Sequence, residues 1–209
     1  MRPVIAIIDY GRGNLGSVEQ AFVRLGLPAV VTQDARVVDE ADAVVLPGDG
    51  AFHDAMTNLR SLGLLDATRR AVDGTRPFLG ICLGYQLLFS TSEEFGEGRG
   101  LDVIAGAVRR FPAGRKIPHM GWNRLRHDGT MRLLAGVPSG AHFYFVHSYF
   151  PEAKRAEGLG IAWCDYGIRF AAAVERGLLM ATQFHPEKSQ GWGLRLLENF
   201  AAVVKERGA

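Results

Sequence analysis

Two cysteines in 209 residues, Cys82 and Cys164, are too few for a disulfide framework. With no export pattern in the chain they read as free thiols in a reducing cytoplasm. No apolar run approaches the roughly 20 residues needed to cross a bilayer. Neither sign of charge dominates: 24 Lys and Arg against 22 Asp and Glu leave a net charge of +2. That balance gives no ground for a nucleic-acid or membrane-surface partner. His53, His119 and His127 lack metal-ligand spacing, and Cys164 has no His or Cys in register with it, so neither a metal nor a cofactor is expected. Internal repeats, low-complexity tracts and linkers are missing too, and residues 1–209 are expected to form a single domain. The stretch Met1–Asp9 lacks a cleavage pattern and runs into a glycine turn, so it reads as a first strand rather than a leader.

What is present is an alternation of short apolar runs and amphipathic segments. Residues 4–9, 29–32, 43–46 and 78–81 read as strands. A helix follows Asn14, which can cap it, with Leu15, Val18, Phe22 and Leu25 on one face and Gly26 as its stop. Two more helices are expected at 52–59 and 64–72, and another over 83–90 after Cys82. The first part thus reads β-α-β-β before the helices return. Unalternated apolar strands separated by helices argue a mostly parallel sheet covered on both faces. From Leu101 the pattern turns to strands, at 103–111, 122–126, 142–150, 159–163, 169–175 and 178–184. A turn at 175–178 joins antiparallel partners, and a final helix spans about 192–205.

The chemistry gathers around Gly80-Ile81-Cys82-Leu83-Gly84, a cysteine version of the Gly-x-Ser-x-Gly nucleophile elbow. Glycines are needed there because a sharp strand-to-helix turn crowds any neighbouring β-carbon. The turn would set the sulfur at a helix N-terminus, where the backbone dipole favours thiolate. A cysteine packed in a strand is the other reading. In Gln183-Phe184-His185-Pro186-Glu187, the imidazole and carboxylate two residues apart would fall on one side of an extended chain, with Pro186 stiffening the backbone between them. A carboxylate there can fix the imidazole tautomer; a polar strand end is the alternative. Strand ends of a parallel sheet share a rim, so the two motifs can meet.

Pro47-Gly48-Asp49-Gly50 also follows a strand and precedes a helix. Its backbone N–H groups, with that of Leu83, can face a developing oxyanion, or the loop is a plain helix start. Gly11-Arg12-Gly13-Asn14-Leu15-Gly16 matches a dinucleotide fingerprint, with Asp34 near the position of a ribose-binding acid. A nucleotide there leaves the Cys82 and His185 stretches unexplained; a glycine turn admitting a close backbone is the milder reading. His147 is a rival base for Cys82, without a carboxylate two residues away. Arg109, Arg110, Arg115 and Lys116 read as a solvated basic hairpin or a phosphate site.

Together with Pro118-His119-Met120-Gly121-Trp122-Asn123 and Tyr144-Phe145-Val146-His147-Ser148-Tyr149, these stretches resemble the class I, triad-type glutamine amidotransferases. More narrowly they resemble the glutaminase subunits of imidazole glycerol phosphate synthase. The elbow and His-Pro-Glu are general to the class; the other two stretches narrow it. The resemblance spans nearly the whole chain and implies a three-layer α/β/α, flavodoxin-like fold with a mostly parallel mixed sheet. It implies Cys82 as nucleophile, His185 as base and acid, Glu187 as its orienter, and Gly48, Asp49, Gly50 and Leu83 around the oxyanion. Gln86, Glu94 and the backbone around His147, Ser148 and Tyr149 would hold L-glutamine. Asn14, Pro118, Met120, Trp122 and Lys188 would face a barrel-shaped cyclase subunit in a heterodimer. Asp49 is a departure, since the family position often carries an apolar or amide residue, and a carboxylate there would repel an oxyanion unless it turned away. A class I amidotransferase serving another synthase, a silent partner-binding scaffold and a cysteine hydrolase of other amides remain the competing readings.

Overall fold

The computed structural model describes residues 4–207; Met1–Pro3, the opening of the stretch read as a first strand, lie outside them, as do Gly208 and Ala209. The chain begins β1 (Ile5–Ile8), α1 (Leu15–Arg24), β2 (Ala29–Thr32), α2 (Ala35–Glu40) and β3 (Ala43–Leu46). It continues through α3 (Phe52–Ser61), α4 (Leu65–Ala71), β4 (Phe78–Ile81) and α5 (Leu83–Gln86). Seven strands follow: β5 (Phe89–Ser92), β6 (Gly98–Arg99), β7 (Ile104–Arg110), β8 (His119–Arg124), β9 (His142–His147), β10 (Tyr149–Ala153) and β11 (Gly160–Asp165). The chain closes with β12 (Arg169–Arg176), β13 (Leu179–Thr182) and α6 (Gln190–Arg207).

The main sheet has the order β11-β12-β13-β4-β3-β1-β2. From β13 to β2 all neighbours are parallel, while β12 and β11 add on antiparallel. This is the mixed, mostly parallel sheet expected. Successive side chains of β1 enter opposite cores: Ile5 and Ile7 pack on the side of α1 and α6, Ala6 and Ile8 on the side of α3 and α4. Both faces of β1, β3, β4 and β13 are therefore buried, which is why these strands read as continuous apolar runs. A smaller sheet, β10-β7-β5-β6, and a two-stranded ribbon, β8-β9, complete the fold. Among the described residues no helix is long and apolar enough to cross a membrane.

Four expectations about the elements need correcting. The opening is β-α-β-α-β, because Asp34 accepts from the Arg36 N–H at 2.8 Å and caps α2. The helix expected over 83–90 ends after four residues. The carbonyls of Leu87 and Leu88 are taken by N–H groups of Leu101, Val103 and Ile104 at 2.8–2.9 Å, which draws the chain into β5. The strand expected over 142–150 is two strands: β9 pairs with β8, then β10 pairs with β7 in a different sheet. Asn14 stands at the N-cap of α1, but its side chain makes no capping bond and lines the cavity described next.

Candidate active site

Parallel pairing brings the C-terminal ends of β1, β3, β4 and β13 to one rim, where each is followed by one of the marked stretches. Beyond β4, Cys82 adopts φ 55° and ψ −107°, in the left-handed half of conformational space. Such a residue costs ~1–3 kcal/mol and persists only where its surroundings hold it. Here the Cys82 N–H donates to the Thr182 carbonyl at 2.7 Å and Gln86 N–H to the Cys82 carbonyl at 3.2 Å. Gly84 is required because a β-carbon would overlap the Leu46 carbonyl oxygen; one on Gly80 would sit 3.1 Å from the Gly84 oxygen. The elbow is thus as read, but the α5 of four residues is too short to supply the expected helix dipole.

His185 Nδ1 lies 2.8 Å from Glu187 Oε1, and both side chains are buried. The extended geometry expected for this pair is not what joins them. Pro186–Lys188 form a 3-10 turn, and Ser189 pins it by donating to the His185 carbonyl at 2.6 Å while accepting from the Tyr144 N–H. His185 Nε2 is buried with no hydrogen bond of its own. Burial opposes a charged imidazole at His185, yet the charge and side-chain interaction of Cys82, with the Glu187 bond and charge, outweigh it and raise the pKa to about 10.

A cavity of about 400 Å³ opens on this rim. Cys82, Leu83, His185 and the loop residues Asp49 and Gly50 line it, together with Gln86, Glu94, His147, Ser148 and Tyr149. Asn14, Pro118 and Lys188 line it as well. Gly48 is buried behind the loop, where a β-carbon would overlap the Tyr10 hydroxyl. Met120 and Trp122 lie apart, exposed on the outer face of β8. Glu94 accepts from the Phe52 N–H at 2.7 Å, and burial pushes its carboxyl pKa up.

Asp49 Oδ1 accepts from the Gly13 N–H at 3.1 Å. Gly13, at φ 108°, packs so closely on Gly48 that a β-carbon would reach its Cα at 3.1 Å. The glycine turn therefore admits a loop of this chain, and Asp34 is occupied in capping α2. His147, the rival base, has both ring nitrogens engaged. Asn123 Nδ2 meets His119 Nε2 at 3.1 Å, His119 Nδ1 meets His147 Nε2 at 2.9 Å, and His147 Nδ1 donates to the Tyr149 carbonyl at 2.7 Å. Burial pushes His119 down to about 4 and His147 down to about 3. Burial also pushes the Cys164 thiol up to about 12. Among the described residues no cluster of His, Cys, Asp and Glu is placed to hold a metal ion.

Two residues of the site carried no assignment in the sequence reading. Tyr10 donates from its buried hydroxyl to the Pro47 carbonyl at 2.9 Å, bracing the loop, and burial pushes its phenol up. Gln183 Nε2 lies 3.7 Å from Cys82 Sγ. Its place two residues before His185, at the same strand end, was the signal available.

A parallel α/β sheet with cysteine at a strand-to-helix elbow and a His-Glu pair at the adjacent strand end is the arrangement of a triad-type amidotransferase. The chain matches the family model described as glutamine amidotransferase class-I over residues 6–204. It is 52% identical over 208 residues to the imidazole glycerol phosphate synthase subunit HisH of Moorella thermoacetica, covering 100% of this chain and 98% of that one. The protein of the same name from Desulfitobacterium hafniense is 51% identical over 203 residues, covering 97% and 96%. A solved glutamine amidotransferase superposes with a TM-score of 0.74 at 22% identity, covering 96% of this chain and 98% of that one, and shows the likeness of fold. The chain belongs to the class I glutamine amidotransferases and, within them, to the HisH subunits of imidazole glycerol phosphate synthase.

Proposed function

We propose that this protein is the glutaminase subunit of imidazole glycerol phosphate synthase. It releases ammonia from L-glutamine and hands it to a cyclase subunit in histidine biosynthesis. The cyclase uses that ammonia to form imidazole glycerol phosphate and an aminoimidazole carboxamide ribotide. The observation that carries the reading is the single cavity onto which Cys82, His185 and the Asp49–Gly50 loop all open. Cys82 thiolate attacks the side-chain amide carbon of glutamine. N–H groups of Leu83 and the Gly48–Gly50 loop hold the oxyanion. His185 Nε2–H gives its proton to the departing nitrogen as the C–N bond breaks, leaving a glutamyl thioester. Water, deprotonated by His185, then attacks the thioester, releasing glutamate and restoring the thiolate beside a protonated His185. Glu187 holds the imidazole by Nδ1 throughout. Gln86, Glu94 and the 147–149 backbone position the amino acid end.

The cyclase binds the face carrying Asn14, Pro118, Lys188, Met120 and Trp122. Met120 pairs with Val146, which lines the cavity, and an apolar route for ammonia past these two residues would keep it from protonation. In the resting loop Asp49 is tied to Gly13, and rotation of a loop peptide on partner binding completes the oxyanion site. A nucleophilic thiol suits the reducing cytoplasm. Glutamate release by the subunit, with and without a matched cyclase and its nucleotide, tests the reading. Activity should be low alone, rise in the complex, and vanish in Cys82→Ala. Full activity in that variant would overturn the assignment of the nucleophile, and full activity without the cyclase would overturn the switch.

A further inference from the structure

Gln183 is completely buried at the end of β13, between the elbow and His185. Gln86 Nε2 donates to the Tyr149 carbonyl at 3.0 Å and to Gln183 Oε1 at 2.9 Å. The Tyr149 carbonyl can only accept, so Gln86 must present its NH2 group at this junction, and Gln183 must answer with its oxygen. The amide of Gln183 is thereby fixed in one orientation, and its NH2 is the group that faces Cys82 Sγ at 3.7 Å. An N–H donated to sulfur is stronger when the sulfur is anionic. The four-residue α5 carries too little dipole to assist the sulfur.

Resting on the reading of Cys82 as nucleophile, we propose that Gln183 is a further catalytic residue, whose oriented amide N–H holds the attacking sulfur and favours its thiolate. Gln86 is the positioning residue that fixes the amide. The other titratable or charged groups around the sulfur are His185 with Glu187 behind it, Tyr10, His147, Asp49, Glu94 and Lys188. Gln183→Met keeps each of these groups and adds no charge; Gln183→Glu adds a carboxylate.

The test is the pH dependence of Cys82 alkylation by iodoacetamide, read by mass spectrometry of the Cys82 peptide, in the wild type, Gln183→Met and Gln183→Glu. Gln183→Glu keeps the oxygen that accepts from Gln86 and replaces the N–H by a second oxygen. Both variants should move the alkylation midpoint up by about one pH unit or more. Both should lower kcat roughly tenfold to a hundredfold in the cyclase complex, with KM changed less than about threefold. A wild-type midpoint and kcat in either variant with an unchanged circular dichroism spectrum would overturn the proposal, as would a change confined to KM. If Gln183→Met fails to fold, Gln183→Leu, which also lacks the N–H and brings no charge, takes its place, because the carboxylate of Gln183→Glu raises the midpoint by repulsion as well. Wild-type Cys82 that glutamine does not protect from alkylation would overturn the nucleophile and this proposal together; unshifted variants beside a protected wild type would overturn this proposal only.

Discussion

At the scale of the residue, one strained cysteine is answered by one imidazole whose charge is favoured by its neighbours. Cys82 sits at φ 55° because Gly84 lets the chain press against the Leu46 carbonyl. His185 has its pKa raised from 6.5 to about 10 in spite of burial. The fold therefore favours the charged imidazole. That contribution to stability is fully present below about 6.5 and is lost as pH rises through about 10. The same shift keeps a proton donor available across neutral pH. Replacing Glu187 by Gln removes the carboxylate charge that helps raise it. The alkaline limb of the kcat/KM profile should then move down toward neutrality, and kcat/KM should fall about a hundredfold or more. A pH–rate profile of Glu187→Gln in the cyclase complex checks this; an unmoved limb would take Glu187 out of the proton transfer.

At the scale of the element, short strands do the positioning and turns do the chemistry. The elbow, the Asp49 loop and the His185 turn each leave a parallel strand at the same rim. Asp34 shows how a local signal can be assigned to the wrong task. As an acid after a strand and downstream of a glycine-rich turn it suits a ribose, yet its carboxylate caps α2. Asp34→Ala should lower folding stability by about 1 kcal/mol in urea unfolding. Glutamine hydrolysis by the complex should stay within about twofold, because the side chain lies outside the cavity. A loss of activity without loss of stability would return Asp34 to the site. The element boundaries that the sequence misplaced share a cause. Leu87, Leu88 and Ser148 sit where the chain passes from one partner strand or sheet to another, and local periodicity carries no mark of which partner waits.

At the scale of the molecule, the ribbon β8-β9 carries an outward face on which Met120, Trp122 and Tyr144 stand, while His119 and His147 point inward. Trp122 is 47% exposed, so its removal should leave the subunit's melting temperature unchanged. If that face meets the cyclase, Trp122→Ala should weaken the complex about thirtyfold or more, as loss of a buried aromatic anchor does. Calorimetric titration of the cyclase into wild type and variant checks it, and equal affinities would move the interface elsewhere.

The sequence by itself determined the parallel core, the glycine-flanked elbow and the order of the chemical stretches. Those follow from local physics: apolar runs buried on both faces, and turns that tolerate no β-carbon. It also carried the family, through motifs spread along nearly the whole chain. Only the tertiary structure decided that Asp49 faces Gly13, that His147 is tied at both nitrogens, that Glu187 reaches His185 through a 3-10 turn, and that Gln183 lies against the sulfur. Each of these is a contact between groups on separate elements or an irregular turn held by them. Side-chain orientation there is set by which donor must meet which acceptor in a closed interior, and that matching exists only once the sheet has brought the strand ends together.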